Sequence, residues 1–168
     1  ALRQSALHSP DVIYLGNIRD MKTCHAALSA AETGVLVLSS VHTVNAQSTV
    51  ERLVNFFPPQ EQIFVYHQLS FLLKGVVSLR LVPRSDVPGL IPAYEIMTLS
   101  PTISNLILEQ KLSNLQQYIS TSEIFGMKSF NQHLKELYAH KKINYETAMD
   151  YSDDKKELKF LLDAGYVK

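Results

Sequence analysis

The stretch Ser9-Pro10-Asp11-Val12-Ile13-Tyr14-Leu15-Gly16-Asn17-Ile18-Arg19-Asp20 carries a proline stop, an unbroken apolar run, a glycine and a polar exit. Pro10 lacks a backbone donor and disfavours helix in the residue before it, so residues 1–8 are expected to be the end of a helix. Val12 to Leu15 is continuous rather than alternating, which predicts a strand buried on both faces of a parallel sheet. Asp20 has the chemistry of an N-cap for a helix through Glu32, with Met21, Cys24 and Leu28 on one face and Gly34 as its stop. Val35-Leu36-Val37-Leu38 then repeats the buried-strand pattern and turns polar from Ser39.

Helix, strand, helix, strand, helix is the order of a parallel α/β sheet. The next helix places Val50, Leu53, Val54 and Phe57 at i, i+3, i+4 and i+7 and ends at Pro58-Pro59; another is expected over 60–73. After Gly75, Val77, Leu79 and Leu81 alternate with Ser78 and Arg80, predicting a strand with one polar face. A turn-rich link from Pro83 to Gly89 leads to a partner strand near 91–97, where Pro92 suggests an edge. From Ser100 the pattern is helical: Ile103, Leu106 and Ile107, then Leu112, Leu115 and Ile119, then Phe130, Leu134, Leu137 and Tyr138, with short pieces to about Leu162 before Gly165. A boundary is expected near residue 99, dividing an α/β lobe (1–99) from an all-helical lobe (100–168).

Composition narrows the class. Of 168 residues 46% are apolar and 19% charged, with Lys+Arg and Asp+Glu equal at 16 each, which is globular rather than disordered. The balance argues against a dedicated nucleic-acid binder. Lys141-Lys142 and Lys155-Lys156 lie near Asp153, Asp154 and Glu157 and read as solvated helix surface. The single cysteine, Cys24, offers neither a disulfide nor a zinc pair, so a reducing, cytoplasmic compartment is expected. Apolar runs such as 35–38 are too short for a bilayer. The opening Ala-Leu-Arg-Gln-Ser is neither a signal peptide nor an initiator sequence, and reads as the middle of a helix cut from something longer.

Residues 9–20 resemble the Walker B segment of pilus-retraction (PilT-type) and type II secretion motor ATPases, in which Asp-Pro-Asp-Val-Ile leads to Gly-Glu-x-Arg-Asp. The resemblance continues through Ala30-Ala-Glu-Thr-Gly34, Leu36 to Ser40, and Val41-His42-Thr43, which is similar to the close of the family's His box. Val50 to Pro58, Gly75 to Leu81, Ala93-Tyr-Glu-Ile-Met97 and Gly126-Met127 recur at the family's spacing, so it covers nearly the whole chain and weakens after about residue 140. It implies the carboxyl-terminal part of a RecA-like P-loop NTPase core followed by a helical lobe. It also implies a cytoplasmic, hexameric motor coupling ATP hydrolysis to pilus disassembly. Such a motor lies peripheral to the inner membrane, is not inserted in it, works with a pilus or secretion platform protein, and binds no nucleic acid. ATP and Mg2+ are implied for the full-length protein.

On this resemblance residue 17 stands where a Walker B glutamate orients or deprotonates the water attacking the γ-phosphate, and His42 is a γ-phosphate sensor. Gly16, Arg19 and Arg52 become candidates for nucleotide or inter-subunit contacts. Asn105, Leu106, Ile107 and Glu109 belong to the motor-signature helix, the family's Ala-Ile-Arg-Asn-Leu-Ile-Arg-Glu. Bland alternatives stay open: a polar strand-end cap for His42, loop hydrogen bonding for Asn17, surface ion pairs for the arginines, and a structural pair for Arg3.

Several positions depart from the family pattern. The glutamate is Asn17, and an amide cannot act as a base near neutral pH; losing such a group costs roughly 10²–10⁴-fold in rate. The first His-box histidine is Val35, and the signature arginines are Ser104 and Leu108. None of the glycines at 16, 34, 75, 89, 126 and 165 opens a G-x-x-x-x-G-K-[ST] run, so nothing here cradles the β- and γ-phosphates. This chain alone is expected to be inactive. A non-hydrolytic assembly or regulatory subunit is the alternative function. His25, His67, His133 and His140 show no metal spacing and read as core or surface, and Phe56, Phe57, Phe64 and Phe71 as core.

Overall fold

The computed structural model describes residues 10–164. The expected helix over 1–8, with Arg3, and the break at Gly165 lie outside the described residues.

In chain order the elements are β1 (Val12–Leu15), α1 (Met21–Glu32), β2 (Leu36–Ser39), α2 (Ala46–Asn55), α3 (Pro59–Leu72), β3 (Gly75–Pro83) and β4 (Leu90–Thr98). There follow α4 (Pro101–Leu108), α5 (Leu115–Thr121), α6 (Phe130–Ala139), α7 (Tyr145–Asp150) and α8 (Lys155–Ala164). The described residues fall into two compact units. One contains those up to 43 together with 47–74 and 99–112; the other contains 44–46, 75–98 and those from 113 on. The β3–β4 hairpin thus groups with the later helices and α4 with the earlier elements.

In the first unit β1 and β2 pair in parallel, Val12 with Leu36 through Leu15 with Ser39. Asp20 caps α1 as its residue type predicts, accepting from Thr23 N at 2.8 Å. Gly34, at φ +91°, makes the left-handed turn back to the strand. Cys24 and Leu28 are buried with Ala27, whereas Met21 is exposed. Val50, Leu53 and Val54 of the expected stripe are buried on α2, and Phe57 is buried just past its end, where the helix stops at Asn55. The α3–α4 pair is cemented by Ile103 and Ile107 and by Ser104 Oγ, which donates to Ser70 O.

Two expectations of burial are corrected here. Ile13, Leu15 and Val37 form a half-buried face, but Val12, Tyr14, Leu36 and Leu38 are exposed, Tyr14 by 73%. The sheet of the first unit has two strands, and nothing among its described residues covers that second face. Phe57 is core, but Phe64 and Phe71 are exposed and Phe56 is half-buried, because α3 turns Val65 and Leu69 inward instead.

In the second unit β3 and β4 form an antiparallel hairpin, Gly75 opposite Thr98 and Pro83 opposite Leu90. A Cβ on Gly75 would lie 2.9 Å from Met97 O, so glycine permits the close approach that opens the ladder. The strand has the expected polar face, and that face points inward. Ser78 and Val82 are buried with Ala93, Glu95 and Met97, while Val77, Leu79 and Leu81 face outward. Val82 and Ala93 join Phe130, Leu134 and Leu137 of α6 and Ile143, Ala148, Leu158 and Leu162 in one core. The polar residues on this inner face therefore have to find partners inside it.

Candidate functional site at the strand ends

The loops leaving β1 and β2 continue the parallel pairing. Ile18 N donates to Ser40 O at 3.0 Å and Ser40 Oγ donates to Gly16 O. Ile18 is buried and pins the first loop. This cross-tie fixes residue 17 between two anchored neighbours and leaves the β2 exit directly beside it. Asn17 Nδ2 then donates to His42 Nε2 at 2.9 Å. The contact sits at the carboxyl ends of two parallel strands, where α/β folds bind ligands.

Asn17 Oδ1 is buried and has no hydrogen-bond partner among the described residues. Such an oxygen costs free energy unless something bonds to it. Beside it lie an imidazole and the loop backbone. The nearest acid in sequence, Asp20, is committed to Thr23: the Thr23 amide and hydroxyl hold its carboxyl below the ordinary carboxylate range. Among the described residues no three His, Cys, Asp or Glu side chains gather to hold a metal ion. The site thus fits the polar end of a ligand, and it does not by itself fit Mg2+.

The loop after His42 is tied as firmly. The Thr43 and Thr49 hydroxyls lie 2.7 Å apart. Val44 O accepts from Arg80 Nη2 at 3.1 Å, and Ala46 N donates to Glu95 Oε1 at 2.8 Å.

The other candidates are placed elsewhere. Gly16 lies in the cross-tie and is exposed, with open space where a Cβ would stand. Arg19 is exposed. Arg52, exposed in the last turn of α2, lays its guanidinium over the Phe56 ring at 5.5 Å. On α4, Asn105 is exposed, Leu106 half-buried and Ile107 fully buried; Glu109 caps the helix and pairs with Lys111 at 2.7 Å. Of the substituted signature positions, Ser104 turns toward α3 and Leu108 toward solvent. His133 is structural: its Nδ1 accepts from Tyr94 N at 3.0 Å.

Sequence reasoning passed over Arg80 and Glu95 as individual residues. Their signal was parity: Ile91, Ala93, Glu95 and Met97 alternate with Pro92, Tyr94 and Ile96, which puts a carboxylate in an inward register. Without the pairing partner, that parity could not be assigned to the buried side.

The sequence profile described as type II/IV secretion system protein matches residues 1–160. The chain is 33% identical over 165 residues to the type IV pilus ATPase PilU of Pseudomonas aeruginosa, covering 98% of this chain and 43% of that protein. It is 39% identical over 150 residues to PilT of the same organism, described as a type IV pilus retraction ATPase, covering 89% of this chain and 43% of that one. Among solved structures, that of the pilus retraction motor PilT with bound ADP superposes with a TM-score of 0.82 at 41% identity, covering 95% of this chain and 44% of that one. The chain therefore spans less than half the length of these relatives, and it matches the carboxyl-terminal part of their RecA-like ATPase. Among the described residues no helix is long and apolar enough to cross a membrane. A profile match over nearly every residue places the chain in the type II/IV secretion system protein family, and it is similar there to the PilT-like members.

Proposed function

We propose that this chain forms the strand-end wall of a nucleotide site in a PilT-like motor, and that His42 reads the terminal phosphate there. The observation that carries this reading is the 2.9 Å contact between Asn17 and His42 beside a buried, unpartnered Asn17 Oδ1. A bound nucleotide with Mg2+ supplies the phosphoryl group and its counter-charge. Asn17 offers an acceptor and a donor that hold a water or a phosphate oxygen, and the His42 ring donates to a phosphate oxygen through the nitrogen that carries its proton. The whole protein, in this reading, is a cytoplasmic hexamer that acts on a pilus or secretion platform at the inner membrane, with nucleotide held between subunits.

A specific observation favours a second reading. The amide at position 17 holds a water without removing its proton, which suits a subunit that binds nucleotide and responds to it with little or no hydrolysis. One experiment separates the two. Nucleotide binding and ATP turnover are measured on the full-length protein and on Asn17→Glu. The motor reading expects measurable turnover that rises with the restored carboxylate. Binding without turnover in both forms supports the regulatory subunit. Absence of nucleotide binding in both would sink the site assignment itself.

A further inference from the structure

We propose that Arg80 and Glu95, one from each strand of the hairpin, are positioning residues that clamp the backbone just after His42 and connect it to the turn between α7 and α8. The functional half of this inference rests on His42 reading the nucleotide; the clamp rests on geometry alone.

Glu95 is fully buried, and its Oε1 accepts the amide of Ala46, the first residue of α2. A carboxylate at a helix N-terminus satisfies an otherwise orphan N–H and complements the helix dipole. Its other oxygen, Oε2, has no hydrogen-bond partner among the described residues, so the carboxyl is oriented by the Ala46 amide together with the Gln116 side chain, which also bonds it. Arg80 acts two residues earlier, donating to Val44 O. Two charged side chains thus hold Val44 by its carbonyl and Ala46 by its amide, two and four residues downstream of His42. A buried carboxylate and a partly buried guanidinium are costly to place where an apolar core would serve as well.

The far side of Arg80 shows where the clamp leads. Nη1 donates to Tyr151 O at 3.1 Å, Nη2 pairs with Asp153 at 2.7 Å, and the guanidinium plate lies 3.8 Å from the centroid of the Phe130 ring. Arg80 therefore bonds both the carbonyl of Val44 and the turn after α7. A rigid, planar fork fits this task where the single-point ammonium of lysine does not. Loss of the Arg80 fork should therefore free Val44 and residues 151–153 together, since both lie in the same compact unit.

The test uses the full-length protein and three variants, Arg80→Lys, Glu95→Gln and Glu95→Leu. Hydrogen exchange over residues 43–50 and the imidazole ¹⁵N signals of His42 are recorded without nucleotide. Glu95→Gln retains an acceptor and should leave the Ala46 amide protected, whereas Glu95→Leu should speed its exchange at least tenfold. Arg80→Lys should loosen both 43–46 and 151–153 and shift the His42 signals while the protein stays folded. Should Glu95→Leu fail to fold, Arg80→Lys decides the matter. Unchanged His42 signals and unchanged exchange in folded Arg80→Lys would overturn the clamp. Addition of ADP or a non-hydrolysable ATP analogue to the unaltered protein is a separate arm. His42 signals that ignore nucleotide would refute the sensor reading, while the nucleotide-free comparison still passes or fails the clamp.

Discussion

Asn17 Nδ2 donates to His42 Nε2 at 2.9 Å, so the imidazole nitrogen facing the first strand is an acceptor. The neutral ring then carries its proton on Nδ1. This arrangement follows from the amide at position 17, which can donate. A carboxylate accepts and does not donate, and would require N–H on Nε2 instead. The residue type at position 17 therefore sets which ring nitrogen of His42 carries the proton.

The ring tautomer is the direct test of that relationship. ¹⁵N–¹H correlation spectra near neutral pH should show His42 with Nδ1 protonated in the native protein. Asn17→Asp and Asn17→Glu should switch it to Nε2-protonated, and Asn17→Ala should leave a mixture. A native ring protonated on Nε2 would mean that Oδ1 faces the imidazole, and the unpartnered atom would then be Nδ2.

Local stability of the helical segment rests on a capping box. Ser129 Oγ accepts from Gln132 N at 3.2 Å, and Gln132 Oε1 accepts from Ser129 N at 2.8 Å. Gln132 Nε2 also donates to Ser120 O and to Glu123, so it ties α6 to the end of α5. Ser129→Ala should cost about 1 kcal/mol, lowering Tm by about 2–4 °C in a chain of this size. Gln132→Ala should cost more, since it removes three bonds. Thermal denaturation followed by circular dichroism checks the order.

Much of this was legible in the sequence, and the physical reason is locality. Asp20 as a cap, Gly34 as a stop and the Val50–Phe57 stripe depend on neighbours within one or two turns, and the structure has all three. The strand-end position of residues 17 and 42 followed from strand order. What the pattern did not carry was the partner of each face. Val12 to Leu15 reads as buried on both sides, yet Tyr14 is exposed, because burial depends on what is laid over a strand. The hairpin shows the same from the other direction: Ser78, Arg80 and Glu95 turn inward and Leu79 outward, reversing the usual inference from polarity. The Arg80–Val44 and Glu95–Ala46 bonds join residues far apart in sequence, and no local rule registers them.

Those outward apolar faces have a consequence for a polypeptide of these 168 residues. Leu79 and Tyr14 are 67% and 73% exposed, each flanked by further exposed apolar side chains on paired strands. Burial of one such side chain gains about 1.5–3 kcal/mol, and contiguous apolar sheet faces promote association. Light scattering coupled to size exclusion should show a mass that rises with concentration. The double variant Tyr14→Lys, Leu79→Lys should shift it toward the monomer. A clean monomer across the concentration range would show that these faces are too small or too curved to pair.

The pH response of the hairpin turns on His133, which is 7% exposed and accepts the Tyr94 amide through Nδ1. A protonated ring cannot accept there, and burial holds its pKa below the ordinary 6.5, with Glu136 raising it and Lys128 lowering it in smaller measure. The unfolded chain takes up this proton near 6.5 and the folded chain only at lower pH. Below 6.5 the unfolded state therefore binds more protons, and stability falls with falling pH until the folded pKa is passed. One proton limits the slope to about 1.4 kcal/mol per pH unit. Buried Glu95, raised above its ordinary 4.5 chiefly by burial, contributes with the opposite sign at lower pH, so the clean measurement is a difference. His133→Asn keeps an acceptor for Tyr94 N and has no proton to gain. Stability of the native protein relative to this variant should be constant above pH 7 and decline between pH 6.5 and 5. A flat difference would show that His133 titrates alike in the folded and unfolded states, and that the Tyr94 bond contributes nothing to its preference for the neutral ring.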